Sequence, residues 1–301
     1  MDFSIVIPIY NSSKYIENTL NHVFEACECF DYQIILVDDC SEKYHIDAVK
    51  HYLKNKRNIV LIEKEEKSNA AISRNIGMSL SKSEIIFLLD SDDYFTSDYI
   101  KRRLYLHKNI NTDIIFGNYT ELYLNHSRDY SFNYRSGRSG EDFLFLDMGD
   151  IRSSTISIRK KNGVNITFPE FLNKHQDWGF LINATNKCAN IVYDNGRGVY
   201  LNIGREQRMT SRLDLDASMR FIDYFLNLSL LHISGFSCKH LLISLYSGNK
   251  NAFIYYSYNV LFSSLGYKFK LIKLYGDILI IIGLFPCGGN ILRLIRNMFR
   301  R

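Results

Sequence analysis

The chain has 301 residues, 46% of them apolar and 23% charged, the balance of a globular protein of one large domain or about two. Its net charge of +5 is concentrated near the end: residues 261–301 carry Lys268, Lys270, Lys273, Arg293, Arg296, Arg300 and Arg301 against one acid, Asp277. A near-neutral body with a basic tail is not the pattern of a nucleic-acid binder, and no nucleic-acid partner is expected. Six cysteines without a CxxC pair, and no His at zinc spacing, argue against a disulfide framework or zinc site and for a reducing compartment. No basic region precedes an apolar one at the N-terminus, and no apolar run reaches about 18 residues, so neither a signal peptide nor a spanning helix is expected.

Phe3–Ile9 reads as a buried strand, with Pro8 near its end where a missing donor is tolerable. Tyr10-Asn11-Ser12-Ser13 is a turn, and a helix is predicted over about Ser13–Cys29. Tyr32–Val37 is a second apolar run, ending in Asp38-Asp39. A helix around Tyr44–Leu53 and a strand at Asn58–Ile62 follow; Ser68 is the predicted cap of a helix reaching Leu80. Ile85–Leu89 is a fourth strand, running straight into Asp90-Ser91-Asp92-Asp93.

Strands alternating with helices predict an α/β fold with a mostly parallel sheet. Right-handed crossovers put all the strand C-termini on one edge, where ligands of such sheets bind. Tyr10, Asp39 and the Asp90–Asp93 cluster should therefore converge there. Three acids this close repel one another unless a cation joins them, which suggests a divalent metal site. An acidic turn before a helix N-terminus is the plainer alternative.

Beyond Asp93 a helix is predicted at Ser97–His107 and strands at Asp113–Asn118 and Tyr119–Leu124. His126–Gly140 reads as a polar loop, Ile151–Ile158 as a strand and Asn162-Gly163 as a turn. A helix begins within His175–Phe180, and two short strands, Ile191–Tyr193 and Gly198–Ile203, follow. From about Ser211 the composition turns helical and aromatic, with helices predicted at Ala217–Ile233 and about His240–Ser264. The last segment, Ile291–Arg301, separates apolar and basic residues onto two helix faces, as an interfacial helix on an anionic leaflet would; packing on the protein's own body is the alternative.

Taken in order, Ile7-Pro8-Ile9-Tyr10-Asn11, Val37-Asp38-Asp39-Cys40-Ser41, Ser73-Arg74-Asn75-Ile76-Gly77 and Leu89-Asp90-Ser91-Asp92-Asp93 resemble glycosyltransferase family 2 of the bacterial surface-polysaccharide type. The resemblance implies a GT-A, Rossmann-like domain over residues 1–210, its mostly parallel sheet flanked by helices. Residues 1–95 would form the nucleotide-sugar-binding half and 96–210 the acceptor half. Beyond the resemblance, composition and the basic tail predict a helical, membrane-associating C-terminal region over residues 211–301.

By position in the motifs, Pro8 and Tyr10 would line the base pocket, and Asp39 would accept a base N–H. Arg74 would reach the base or the phosphates. Asp92 would hold ribose and metal, and Asp93 would ligate the metal, an Mn²⁺ or Mg²⁺ ion. Asp90 would join that metal group or shape the turn. The family's acid pair stands here as Gln176-Asp177, making Asp177 the catalytic base. Trp178 would stack on an acceptor sugar or belong to the core; Arg205 and Arg208 would bind a diphosphate or be surface charges.

Three positions depart from the family pattern: Cys40 replaces a Gly, Ser68-Asn69-Ala70-Ala71 replaces a Gly-rich segment, and Gln176 replaces an acid. The implied reaction is inverting transfer of a hexose from a nucleotide sugar, expected to be UDP-linked, to a lipid-linked saccharide in O-antigen or capsule-type synthesis. It would take place peripherally at the cytoplasmic face of the inner membrane. A non-catalytic nucleotide-sugar-binding protein and a nucleotidyltransferase are the alternatives.

Overall fold

The computed structural model describes residues 1–160, 166–203, 213–226, 229–260 and 267–292. The chain forms two compact units, Met1–Gly140 with Asp150–Glu206, and Glu141–Gly149 with Gln207–Arg301.

The first unit is built on β1 (Phe3–Ile9), β2 (Tyr32–Asp38), β3 (Ile59–Glu63) and β4 (Ile85–Leu88), joined by helices α1 (Ile16–Ala26), α2 (Lys43–Leu53) and α3 (Ala70–Leu80). The continuous apolar runs of β1, β2 and β4 are buried along their length because helices cover the sheet. After β5 (Tyr94–Phe95) and α4 (Ser97–Asn109) come β6 (Ile114–Gly117), β7 (Tyr119–Leu122) and β8 (Ser127–Tyr130). β9 (Ser157–Arg159), α5 (Gln176–Asn186), β10 (Ile191–Asp194) and β11 (Val199–Asn202) complete the unit.

Seven strands order as β10-β6-β9-β4-β1-β2-β3, parallel except for β9, which runs antiparallel to both of its neighbours. A second sheet orders as β5-β11-β7-β8. This is a GT-A-like α/β architecture with a mixed sheet.

Several boundaries differ from the sequence reading. Ile151–Ile158 is not one strand: a 3₁₀ turn, Ser153–Thr155, precedes the short β9. The polar loop after β7 contains β8, whose mostly exposed Ser-Arg-Asp-Tyr leaves no apolar alternation to read. Helix α3 is capped by Asn69, whose side chain accepts the Ile72 N–H at 3.1 Å, not by Ser68. The predicted turn at 162–163 lies outside the described residues.

α3 packs on β1 at Gly77, where an added Cβ would stand 2.3 Å from Val6 Cγ1. That close approach leaves Arg74, one turn earlier, near the helix N-terminus and so beside the strand C-termini.

In the second unit the predicted long helices are broken into α6 (Leu215–Phe221), a π-helical turn at Ile222–Leu226, α7 (Leu230–Tyr246), α8 (Lys250–Asn259) and α9 (Tyr267–Ile281). Ser229 caps α7 by accepting the His232 N–H at 3.3 Å, which explains the break before it. A second π-helical turn, Asp142–Leu146, brings Phe145 against Phe236 and Phe221, with ring centroids 5.7 and 6.1 Å away. Asp142 accepts from His232 at 2.8 Å, and Lys239 donates to the Gly149 carbonyl at 2.5 Å. Among the described residues no helix is long and apolar enough to cross a membrane. The basic tail at 293–301 lies outside them.

Candidate active site

The parallel register carries Ile9 opposite Asp38, so the first two strands end together. Asp38 shapes the turn that follows, accepting from Ser41 N at 2.9 Å and Ser41 Oγ at 2.5 Å. Ser41 Oγ in turn accepts the Asn11 N–H at 2.8 Å, tying the two strand-end loops together. Tyr10 emerges exposed from this junction, and Pro8 pairs with Val37 just before it.

Cys40 sits in the same turn with φ 61°, the left-handed region that favours the glycine it replaces. An L-residue held there costs about 1–2 kcal/mol, whereas Gly gives back roughly 0.5–1 kcal/mol through greater unfolded-state freedom. Cys40→Gly is therefore expected to raise the unfolding free energy by about 0.5–1 kcal/mol in urea melts. A lowered midpoint would show that the thiol's contacts outweigh the backbone strain.

Asp39 is buried and turned toward the loop after β3. Its Oδ1 accepts from Ser68 N at 2.8 Å and Ser68 Oγ at 3.1 Å, and pairs with the Lys64 ammonium. Lys67 from the same loop stands 3.8 Å over the Tyr10 ring. Pro8, Tyr10 and Asp39 thus lie together at the ends of β1 and β2.

Arg74 lies elsewhere. It is buried, and its guanidinium donates to Asp90 Oδ1 at 2.6 Å and Gln176 Oε1 at 3.0 Å, with Phe168 5.2 Å beneath it. None of its contacts is with Asp39. Gln176 is fixed by donating from Nε2 to the Leu172 carbonyl at 2.7 Å. A neutral amide suffices here because Asp90 already balances the guanidinium.

Asp177 stands next to Gln176 in the first turn of α5, half-buried, and accepts from Ser153 Oγ. Burial pushes its carboxyl above the ordinary carboxylate value of 3.8; Arg74 pulls it down and Asp90 pushes it up. A desolvated carboxylate, held by one hydroxyl and facing the two cations Arg74 and Arg152, is suited to taking a proton.

The acids of the turn after β4 have different partners. Asp93 is buried and points inward, accepting from Asn202 N at 3.1 Å and Ser154 Oγ at 2.6 Å. Asp90 is paired with Arg74. Among the described residues no three His, Cys, Asp or Glu side chains converge as metal ligands. Asp93 thus holds the turn against Ser154 and Asn202. Asp92, half-buried beside it, keeps the all-oxygen chemistry that a hard ion requires.

Trp178 donates from Nε1 to the buried Asp150 at 2.8 Å, and His175 stacks on it with a 4.9 Å centroid separation. Asp150 also accepts from Tyr119 OH at 2.8 Å and pairs with Arg152 at 2.9 Å. Trp178 is therefore held in a fixed orientation beside Asp177. Arg205 and Arg208 lie outside the described residues.

Ser153 and Ser154 escaped the sequence reading, although one holds Asp177 and the other Asp93. A Ser-Ser-Thr trio inside an apolar run was the available signal, because hydroxyls in a core strand need partners. Lys64 escaped as well.

A family model for Glycosyl transferase family 2 matches residues 4–161, and the chain belongs to that family. It is 29% identical over 212 residues to a poly(ribitol-phosphate) beta-glucosyltransferase of Bacillus spizizenii, a match covering 68% of this chain and 33% of that protein. It is 30% identical over 197 residues to the amylovoran biosynthesis glycosyltransferase AmsB of Erwinia amylovora, covering 61% and 64% respectively. The chain thus spans a third to under two thirds of the length of these relatives.

Among solved structures, Staphylococcus aureus TarS 1–349 in complex with UDP-GlcNAc superposes with a TM-score of 0.62 at 18% identity, over 99% of this chain and 92% of that one. The mannosyltransferase PcManGT from Pyrobaculum calidifontis, in complex with GDP-Man and Mn²⁺, superposes with a TM-score of 0.51 at 12% identity, over 97% and 87%. At these identities the likeness establishes the GT-A-like fold.

Proposed function

We propose that this chain is an inverting glycosyltransferase that moves a hexose from a UDP-sugar to a hydroxyl of a lipid-linked saccharide during cell-surface polysaccharide synthesis. The observation that carries this reading is Asp177, a half-buried carboxylate with a raised proton affinity in the first turn of α5, next to the residue that anchors Arg74. In-line inversion requires one base to take the acceptor's proton, and Asp177 supplies it. Trp178, fixed by Asp150, offers a flat apolar face of the kind that acceptor sugars stack on.

A nucleoside diphosphate leaves with growing negative charge. A divalent ion bound through Asp92 would neutralise that charge without a proton. Family membership, the nucleotide sugars bound by the structural neighbours and the polysaccharide products named for the curated relatives support donor and pathway class. The concentration of basic residues in 261–301 supports peripheral attachment to the cytoplasmic face of the membrane.

Incubation with Mn²⁺, a panel of nucleotide sugars and a lipid-diphosphate saccharide acceptor tests the reaction. One donor is expected to release its nucleoside diphosphate in step with acceptor glycosylation. Silence from every donor would overturn the proposal, and pyrophosphate as product would assign a nucleotidyltransferase instead.

A further inference from the structure

Two adjacent hydroxyls in the 3₁₀ turn Ser153–Thr155 hold acids that come from different parts of the chain. Ser153 Oγ donates to Oδ1 of Asp177 in the first turn of α5. Ser154 Oγ donates to Asp93 Oδ2 at 2.6 Å and accepts the Asp90 N–H at 3.1 Å. One residue therefore reaches the base, and the next reaches the acid turn after β4. The 3₁₀ turn is itself fixed to the sheet. The Leu88 N–H donates to the Ile156 carbonyl at 3.1 Å, and the Ile156 N–H to the Ser153 carbonyl at 2.9 Å. Ser153 and Ser154 are both buried, so neither hydroxyl can trade its partner for water unless the turn moves.

Asp177 is used unevenly. The Ser153 hydroxyl falls on Oδ1, and among the described residues no hydrogen bond falls on Oδ2. The charges that face this carboxylate come from three other elements: Arg74 from α3, Asp90 from the turn after β4, and Arg152 from just before the 3₁₀ turn. Arg74 spends its hydrogen bonds on Asp90 and Gln176, not on Asp177. A charge interaction depends mainly on distance, whereas a hydrogen bond weakens steeply away from its preferred angle. Ser153 is therefore the one directional hold on the carboxylate. An Asp side chain turns about two bonds, and without that hold it would sample several orientations. A reacting atom misplaced by about 1 Å can cost about 10²-fold in rate.

We propose that Ser153 is the positioning residue of the base: it holds Asp177 through Oδ1 and leaves Oδ2 as the atom that takes the acceptor's proton, while Ser154 ties the same turn to the acids after β4. The role rests on the reading of Asp177 as the base. The proton passes from the acceptor hydroxyl to Oδ2 as the acceptor oxygen bonds to the sugar and the nucleoside diphosphate leaves with the electrons of the broken bond. Ser153 keeps its own proton throughout, donating it to Oδ1.

Ser153→Ala in the full chain tests the proposal. UDP affinity is measured by calorimetry with Mn²⁺ present, and turnover by nucleoside diphosphate release from the donor and lipid-diphosphate saccharide that the donor panel selects. The variant is expected to lose about 10- to 100-fold in kcat with UDP affinity unchanged. Its acid limb is expected at higher pH, because a hydrogen bond to the ionised carboxylate is gone. Ser153→Cys, a weaker donor of similar volume, should fall between the two. In an Asp177→Asn background, Ser153→Ala is expected to cost little further, because the hydroxyl acts through the carboxylate. A merely structural serine would cost the same factor with and without Asp177 and leave the acid limb in place, and either result overturns the role. Should Ser153→Ala not fold, Ser153→Cys decides: an unmoved limb overturns the role. Native turnover in Asp177→Asn would instead sink the base reading itself, whereas lost turnover there beside native turnover in Ser153→Ala would remove Ser153 alone.

Discussion

An Asp177→Asn chain is expected to bind its donor as the native chain does and to turn it over about 10²–10⁴-fold more slowly, the usual contribution of a positioned general base. Asn keeps the shape and an oxygen for the Ser153 hydroxyl, so α5 should hold its place. Donor affinity by calorimetry and transfer by product release separate the two effects. Retained turnover would remove Asp177 from the base role.

The pH profile should carry the same signature. The base works ionised, and burial makes ionisation harder, so falling pH protonates Asp177 sooner than it would an exposed carboxylate. The acid limb of kcat is therefore expected above the ordinary carboxylate value of 3.8. It should disappear in Asp177→Asn. A limb at or below that value would belong to a different group.

Arg74→Met should have the largest effect on stability. The guanidinium is buried between the Asp90 carboxylate and the Gln176 amide, and removing one member of such a group strands the others. Breaking a buried pair costs about 3–5 kcal/mol. Because over a third of the Asp90 side chain is exposed, the lower end, about 3 kcal/mol, is expected in denaturant melts. Arg74→Lys should recover part of this, since an ammonium can reach one partner but not both. The acid limb of Arg74→Met should also move to higher pH, because the larger of the two cationic influences that favour ionised Asp177 is gone and only Arg152 remains. A loss below about 1 kcal/mol would mean that water replaces the guanidinium without penalty.

The strands that organise the site were readable because their chemistry is local. Unbroken apolar runs in β1, β2 and β4 end in Tyr10, Asp38-Asp39 and Asp90, and the parallel connection then forces those ends onto one edge. What was not readable depends on which way a side chain turns. Asp92 and Asp93 are adjacent and chemically identical, yet one is half-buried at the turn and the other faces Asn202 and Ser154 inside the fold. Nothing in the spacing distinguishes them.

Lys64 stands in Glu63-Lys64-Glu65-Glu66-Lys67, which reads as a solvated charge run; only the backbone bond to Asp38 reveals that this one member turns inward. Ile151–Ile158 looked like a strand because its apolar ends dominate. Three hydroxyls at its centre, two of them serving the site acids, bend it into a turn instead. The glycine missing at Cys40 was legible as a departure from the family pattern, and the backbone there kept the glycine conformation anyway.

The short Glu141–Gly149 segment imposes an order on synthesis. It leaves the ribosome with the first unit but belongs to the second, and its ties from Asp142 to His232 and from Gly149 to Lys239 each span 90 residues. Chains generally fold from the N-terminus as they emerge, so Phe145 lacks its ring partners Phe221 and Phe236 until those residues have been made. Any truncation before α7 would make that waiting period permanent. It would leave an aromatic stub on an otherwise finished domain, the kind of surface that chaperones hold and that aggregates nucleate on.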